Sequence, residues 1–279
     1  MDFLKLSKRD HFLGSRLKVV GVDFEKDPES LANFINGSKI KQKFKNQSKI
    51  SNFYKESAEL IYPDFDVNCG LCIRLIKENT TTKISSLVPF FKDIGLTYEG
   101  EIYEVNIWEG GGTEAQIYFG LNINEVTFYD NNFLENRKFY IPNSKFKARI
   151  YGVAYRADFL KDEKVKIKIT EEMAEVFKKD VGEITTLHTD KMSSFLPLDD
   201  SGGDIDEYEV SGKISAIRKI KLNFCNKKAY ICRIDCMREI DEYYEFEILI
   251  IKENWNEENE PKIGDYIHLI CFFAGEIII

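Results

Sequence analysis

Between Phe146 and Tyr155 the chain reads FKARIYGVAY, and its side chains alternate in character with a period of two. Phe146, Ala148, Ile150, Gly152 and Ala154 fall on one side, and Lys147, Arg149, Tyr151, Val153 and Tyr155 on the other. A period of two is the repeat of an extended strand, whose successive side chains point to opposite faces. The same signature returns in KVKIKI (164–169), AYICRIDC (229–236) and YYEFEILII (243–251). With 21 Phe and 14 Tyr, the composition also suits a pleated surface.

Helical spacing is confined to four stretches. DPESLANFING offers Asp27 as cap, Pro28 in the first turn and Gly37 as stop. SKISNFYKESAELI places Ile50, Phe53, Tyr54, Ser57 and Ile61 on one helical face, with Pro63 beyond its end. SSLVPFFKDIG (85–95) reads as a short helix ended by Gly95. TEEMAEVFKKDVG (170–182) has acids in its first turn and Lys178 and Lys179 near its end, which suits the helix dipole. The fold class expected is therefore α+β and β-rich. A mixed region (1–97) precedes a first β module with one helix (98–190) and a second β module (208–279). KMSSFLPLDDSGGDIDE (191–207), with one proline, two glycines, five acids and no periodicity, reads as the linker between them. IPNSKFKARIYGVAY and PKIGDYIHLICFFAG share an order of proline, polar turn and long strand, which suggests a distant repeat.

PKIGDYIHLICFFAGEI, with YEVSGKISAIRKI as a first strand, resembles part of an OB-like small β-barrel over residues 208–279. The resemblance implies a binding module for oligonucleotides or protein partners, and the architecture expected is the mixed N-terminal region followed by two small antiparallel β-barrel or sandwich modules.

The chain of 279 residues carries a formal charge of −8, which excludes a uniformly basic nucleic-acid binder. The charge is uneven. Residues 1–60 hold 12 Lys/Arg against 8 Asp/Glu, and residues 200–279 hold 10 against 17. The start MDFLKLSKRDHFLG has no apolar run of signal-peptide length, and YIHLICFFAG is far shorter than the 18 or so apolar residues of a membrane span. A cytoplasmic setting with six free thiols, and no membrane partner, is the expectation.

Motifs for chemistry are weak. NCGLC (68–72) has the thioredoxin-like C-x-x-C spacing, but a strand through it sends the two thiols to opposite faces. Cys232 and Cys236 lie four residues apart along a strand, roughly 13 Å, too far to share a zinc ion with Cys225, Cys271 or His268. WEGGGTEA (108–115) lacks the lysine of a phosphate loop and reads as a hairpin turn. Asp199, Asp200, Asp204 and Asp206 do not follow calcium-loop spacing. No cofactor and no metal is expected. A metal-dependent hydrolase around His188 and Asp190 is the most remote reading.

The most basic stretch, Ser38 to Lys55, has six lysines and no acid. Lys39, Lys41, Lys43, Lys45 and Lys49, with Lys147, Arg149, Tyr151 and Tyr155 as a second face, are candidates for nucleic acid or an acidic partner. Alternating lysine also protects exposed strand edges, which is the favoured reading. Glu257, Glu258 and Glu260, in the acidic C-terminal part, are candidates for a basic partner. The function expected is non-catalytic binding of a protein partner, as in an inhibitor or immunity-type protein of bacterial or phage type. Nucleic-acid binding is the alternative.

Overall fold

The computed structural model describes residues 4–7, 15–24, 26–44, 56–64, 66–108, 112–121, 124–141, 144–239 and 242–279. The fold is strand-rich α+β with several sheets. The N-terminal part runs β1 (Leu4–Ser7), α1 (Ser15–Val19), α2 (Pro28–Gly37), β2 (Lys39–Phe44), β3 (Ser57–Tyr62), β4 (Cys69–Glu78) and β5 (Thr81–Phe91). Helix α2 starts as expected, with the Asp27 carboxylate accepting from the Ser30 N–H at 3.3 Å. Strands β2 to β5 form an antiparallel sheet in chain order.

Two of the four expected helices are strands instead. Ser57–Tyr62, the end of the stretch read as helical, is β3, paired on both sides by β2 and β4. The ladder bonds of a central strand override a helical spacing that the short window happened to contain. The rest of that stretch (48–55) lies outside the described residues. Ser86–Phe91 is also strand, and every residue in it is buried. The run is apolar because both faces of β5 are covered, not because it forms one helical stripe. Pro89 is tolerated because β5 is the last strand of its sheet.

The second part runs β6 (Leu96–Trp108), β7 (Ala115–Gly120), β8 (Glu125–Asp130), α3 (Phe133–Asn136) and β9 (Lys145–Phe159). It continues through β10 (Lys164–Lys168), α4 (Glu171–Phe177), β11 (Ile184–His188) and β12 (Ser194–Pro197) to β13 (Glu207–Leu222), β14 (Lys227–Glu239), β15 (Glu242–Ile251) and β16 (Tyr266–Ile278). Helix α4 follows Thr170 at its N-cap position and stops at Phe177, short of the expected Gly182, because Lys178 turns left-handed (φ 51°).

Ten strands form one sheet in the order β1-β6-β7-β8-β16-β9-β15-β14-β13-β12, with β6 also paired to β9 and β16 to β13. Those two extra pairings close the sheet on itself twice. One circuit is β6–β7–β8–β16–β9 and the other is β13–β14–β15–β9–β16. Both contain β9 and β16, which pair antiparallel from Lys147 against Ile278 to Phe159 against Ile267. Each circuit has one parallel contact, β8 with β16 and β15 with β9. Strands from 98–190 and from 208–279 thus enter the same sheet.

The shared strands have two apolar faces. One side of β9, with Ala148, Ile150 and Ala154, joins a core made with Ile117, Phe128, Ile234, Phe246, Leu269 and Phe273. The other, with Tyr151 and Val153, meets Leu17, Ile73, Leu87 and Phe91 of the N-terminal part. Arg16 of α1 crosses this second layer. Its guanidinium lies over the rings of Tyr129 and Phe272, at 5.1 and 4.9 Å, and donates to both oxygens of Asp206 at 2.7 Å. The 191–207 stretch, expected to be a solvated linker, carries β12, paired to β13, and this buried carboxylate. Phe195 stacks on Phe246, with ring centroids 5.3 Å apart.

Candidate functional site

Arg74 is a lone arginine in the apolar run CIRLI of β4, and it is completely buried. A guanidinium without water needs its donors matched. Its Nε donates to Glu59 Oε2 of β3 at 3.2 Å, one Nη donates to the carbonyl of Asn131 at 2.7 Å, and the other meets the Tyr129 hydroxyl of β8. That hydroxyl donates to Glu114 Oε1 at 2.8 Å. Burial alone would push the Glu59 carboxyl up. Arg74 and Lys41 more than offset it and hold the group below its ordinary range. The neighbouring Cys72 thiol is pushed well up by burial. It is an inert wall, not a nucleophile.

Above this network lies a cavity of about 430 Å³ between the four-stranded sheet and the β8–β16 seam. Ile61, Cys72, Phe90 and Phe91 form its apolar wall. Its polar lining comes from β2, β3, the residue after β5, the 131–135 segment, β9 and β16. Lys41 reaches in from β2, 2.9 Å from Glu59 and 3.5 Å from Glu135. The β2–β3 register shifts between Ile40 and Gln42, leaving Lys41 turned inward and Ile40 56% exposed. Arg149 of β9 pairs with Glu276 of β16 at 2.5 Å, and Asn132 donates to the same carboxylate. Asn131 donates to the Tyr151 hydroxyl at 2.8 Å. Asn131 Oδ1 and Arg149 Nε are buried and have no hydrogen-bond partner among the described residues. The cleft therefore presents one unmet acceptor and one unmet donor beside balanced charges.

Lys41, Arg149 and Tyr151, candidates from two separate stretches, thus line one cavity. The others lie elsewhere. Lys39 is exposed on β2. Lys43 is in β2, and Lys45 and Lys49 lie outside the described residues. Lys147 pairs with Glu99 at 3.1 Å. The Tyr155 hydroxyl donates to Glu207 at 2.6 Å. Glu257 and Glu258 lie in the loop before β16, and Glu260 there accepts from Lys219 at 2.6 Å and from the Tyr230 hydroxyl at 3.0 Å. Sequence reasoning missed Glu59, Arg74, Asn131, Asn132, Glu135 and Glu276. A single charge inside CIRLI or FFAGEIII is the signal that could have marked two of them.

His188 Nδ1 sits 3.1 Å from each oxygen of Asp162, and with Asp190 these residues offer three ligand atoms within 4.8 Å of one another. The group could hold a cation, and it lies near the surface. All six thiols are free, and His268 meets Glu209 at 2.9 Å. Among the described residues, no helix is long and apolar enough to cross a membrane. No family model, curated protein or solved structure matches the chain.

Proposed function

We propose that the chain is a non-catalytic binding protein for a protein partner, whose docking point is the cleft between the four-stranded sheet and the β8–β16 seam. The observation that carries this reading is the pair of unmet polar atoms, Asn131 Oδ1 and Arg149 Nε, buried beside an apolar wall. Buried polar atoms in a folded chain are nearly always matched, and a ligand group is one way to match them. A peptide segment supplies both an N–H donor and a carbonyl acceptor. It also suits a lining in which Lys41, Lys92 and Arg149 are balanced by Glu59, Glu135 and Glu276. A polyanion would meet Lys41 and Arg149 already paired with Glu59, Glu135 and Glu276.

The test is affinity purification from the native host with the wild type and with Asn131→Ala, followed by titration calorimetry with the recovered protein. The expected result is a partner whose affinity falls at least tenfold in the variant. A recovered partner with unchanged affinity for Asn131→Ala would refute the cleft as its site.

A second reading is binding of single-stranded nucleic acid, with each circuit of five strands taken as an OB-like barrel. In its favour is the closure of both circuits through one parallel contact each. Against it, the outer side of β8 is covered, with Tyr129 buried under Arg74 and the Thr127 N–H bonded to the Tyr208 hydroxyl at 2.8 Å. Fluorescence anisotropy of labelled single-stranded DNA and RNA at low and moderate salt separates the readings. Steeply salt-dependent binding, lost when Lys39, Lys41, Lys43 and Lys45 become glutamate, would put the nucleic-acid reading first.

A further inference from the structure

Residues 160–192 leave the ten-stranded sheet after β9 and rejoin it at β12. Within them, among the described residues, β10 and β11 pair only with each other. Lys164 faces His188, Lys166 faces Thr186 and Lys168 faces Ile184, so these six side chains share one side of the ladder. All six are exposed, and Ile184 is 67% exposed. The connection between the strands carries α4, where Glu171, Glu172 and Glu175 are exposed beside Met173 (37%) and Phe177 (36%).

Neither row of charge is used among the described residues. The three lysines and the three glutamates have no ion-pair partner among the described residues. A hairpin of two strands is marginal alone in water, and exposed apolar side chains grouped on such an element point to association. A foreign acidic surface would satisfy the lysines and leave the α4 glutamates unmet. A second copy satisfies both, because a two-fold axis places each row against its complement twice.

We infer that residues 164–184 form a self-complementary arm by which a second copy of this chain docks. The lysine face and Ile184 of one arm meet the α4 glutamates of the other, while Met173 and Phe177 lie on the opposite face of that helix. The inference is independent of the cleft, which lies on other elements.

Sedimentation velocity on the full chain, from low to several hundred micromolar, tests it. The wild type is expected to dimerise reversibly. Lys164→Glu with Lys166→Glu and Lys168→Glu, and separately Glu171→Lys with Glu172→Lys and Glu175→Lys, should each raise the dissociation constant at least tenfold. All six positions are exposed, and unchanged circular dichroism will show that the variants fold. An equimolar mixture of the two variants should dimerise again, because each reversed row then faces a complementary one. A wild type that stays monomeric throughout, which would favour a foreign partner, overturns the inference. So does a dimer that neither variant weakens, or a mixture that stays monomeric.

Discussion

Removing Arg74 leaves the Glu59 carboxylate buried with Lys41 as its remaining cation. Arg74→Met is expected to cost about 3–5 kcal/mol in urea unfolding, and Glu59→Gln in the same chain should recover part of it. Asp130 behaves differently, for it is buried and no cation among the described residues is in direct contact with it. It accepts from the Tyr140 hydroxyl and the Asn132 N–H, and burial pushes its carboxyl up to about 7. The folded chain therefore keeps a proton that the unfolded chain, with an ordinary value near about 4, has released. The contribution of Asp130 to stability is fully present below about pH 4 and is lost as pH rises through about 7. Asp130→Asn should remove that part of the pH dependence, read as the urea midpoint across roughly pH 4 to 8. Arg149 and Lys41 were legible as candidates from their place in basic, alternating strands. Their carboxylate partners were not, because Glu135 and Glu276 reach them only through the closed sheet.

At the scale of elements, the close approach of β16 to β9 depends on Gly275. A Cβ there would lie 2.3 Å from the Arg149 carbonyl oxygen. Gly275→Ala is expected to cost about 2–3 kcal/mol, because backbone rather than a flexible side chain must move. Phe195 tests whether β12 belongs to the packed body. Its ring lies among Tyr208, Phe246 and Phe273, and Phe195→Ala should cost about 2–3 kcal/mol in the same assay. A solvated linker would lose almost nothing. The strands at 146–155, 164–168, 229–236 and 243–251 were legible because each alternates or carries β-branched runs. Strand β5 was not, since a strand covered on both faces loses its alternation and a short apolar run fits either period. The 191–207 stretch misled for another reason. Asp206 has its partner 190 residues away, and local composition cannot report that.

For the whole molecule, two circuits that share β9 and β16 should lose structure together. Trp108 ends β6 of one circuit and Trp255 follows β15 of the other, and both are buried. Fluorescence of Trp108→Phe and Trp255→Phe should therefore report the same urea midpoint, after correction for any stability difference between the variants. Separate midpoints would mean two independent units. Residues 208–279 made alone lack β9, so their circuit cannot close, and no cooperative unfolding transition is expected from them. The sequence suggested two β modules and a repeat of one strand pattern. It could not show that the strands bearing that pattern are the ones held in common, because β9–β16 pairing joins residues more than a hundred positions apart.

That sharing also sets an order in time. During synthesis β6, β7 and β8 leave the ribosome well over a hundred residues before β16 does. At ordinary elongation rates the delay is on the order of ten seconds. Throughout it β8 has a bare edge where β16 will later lie, and β9 lacks β15 as well. A nascent chain with two unfilled strand positions is open to capture by other extended segments. Helper proteins that cover strand edges should raise the yield of this protein more than that of one whose sheets close in chain order.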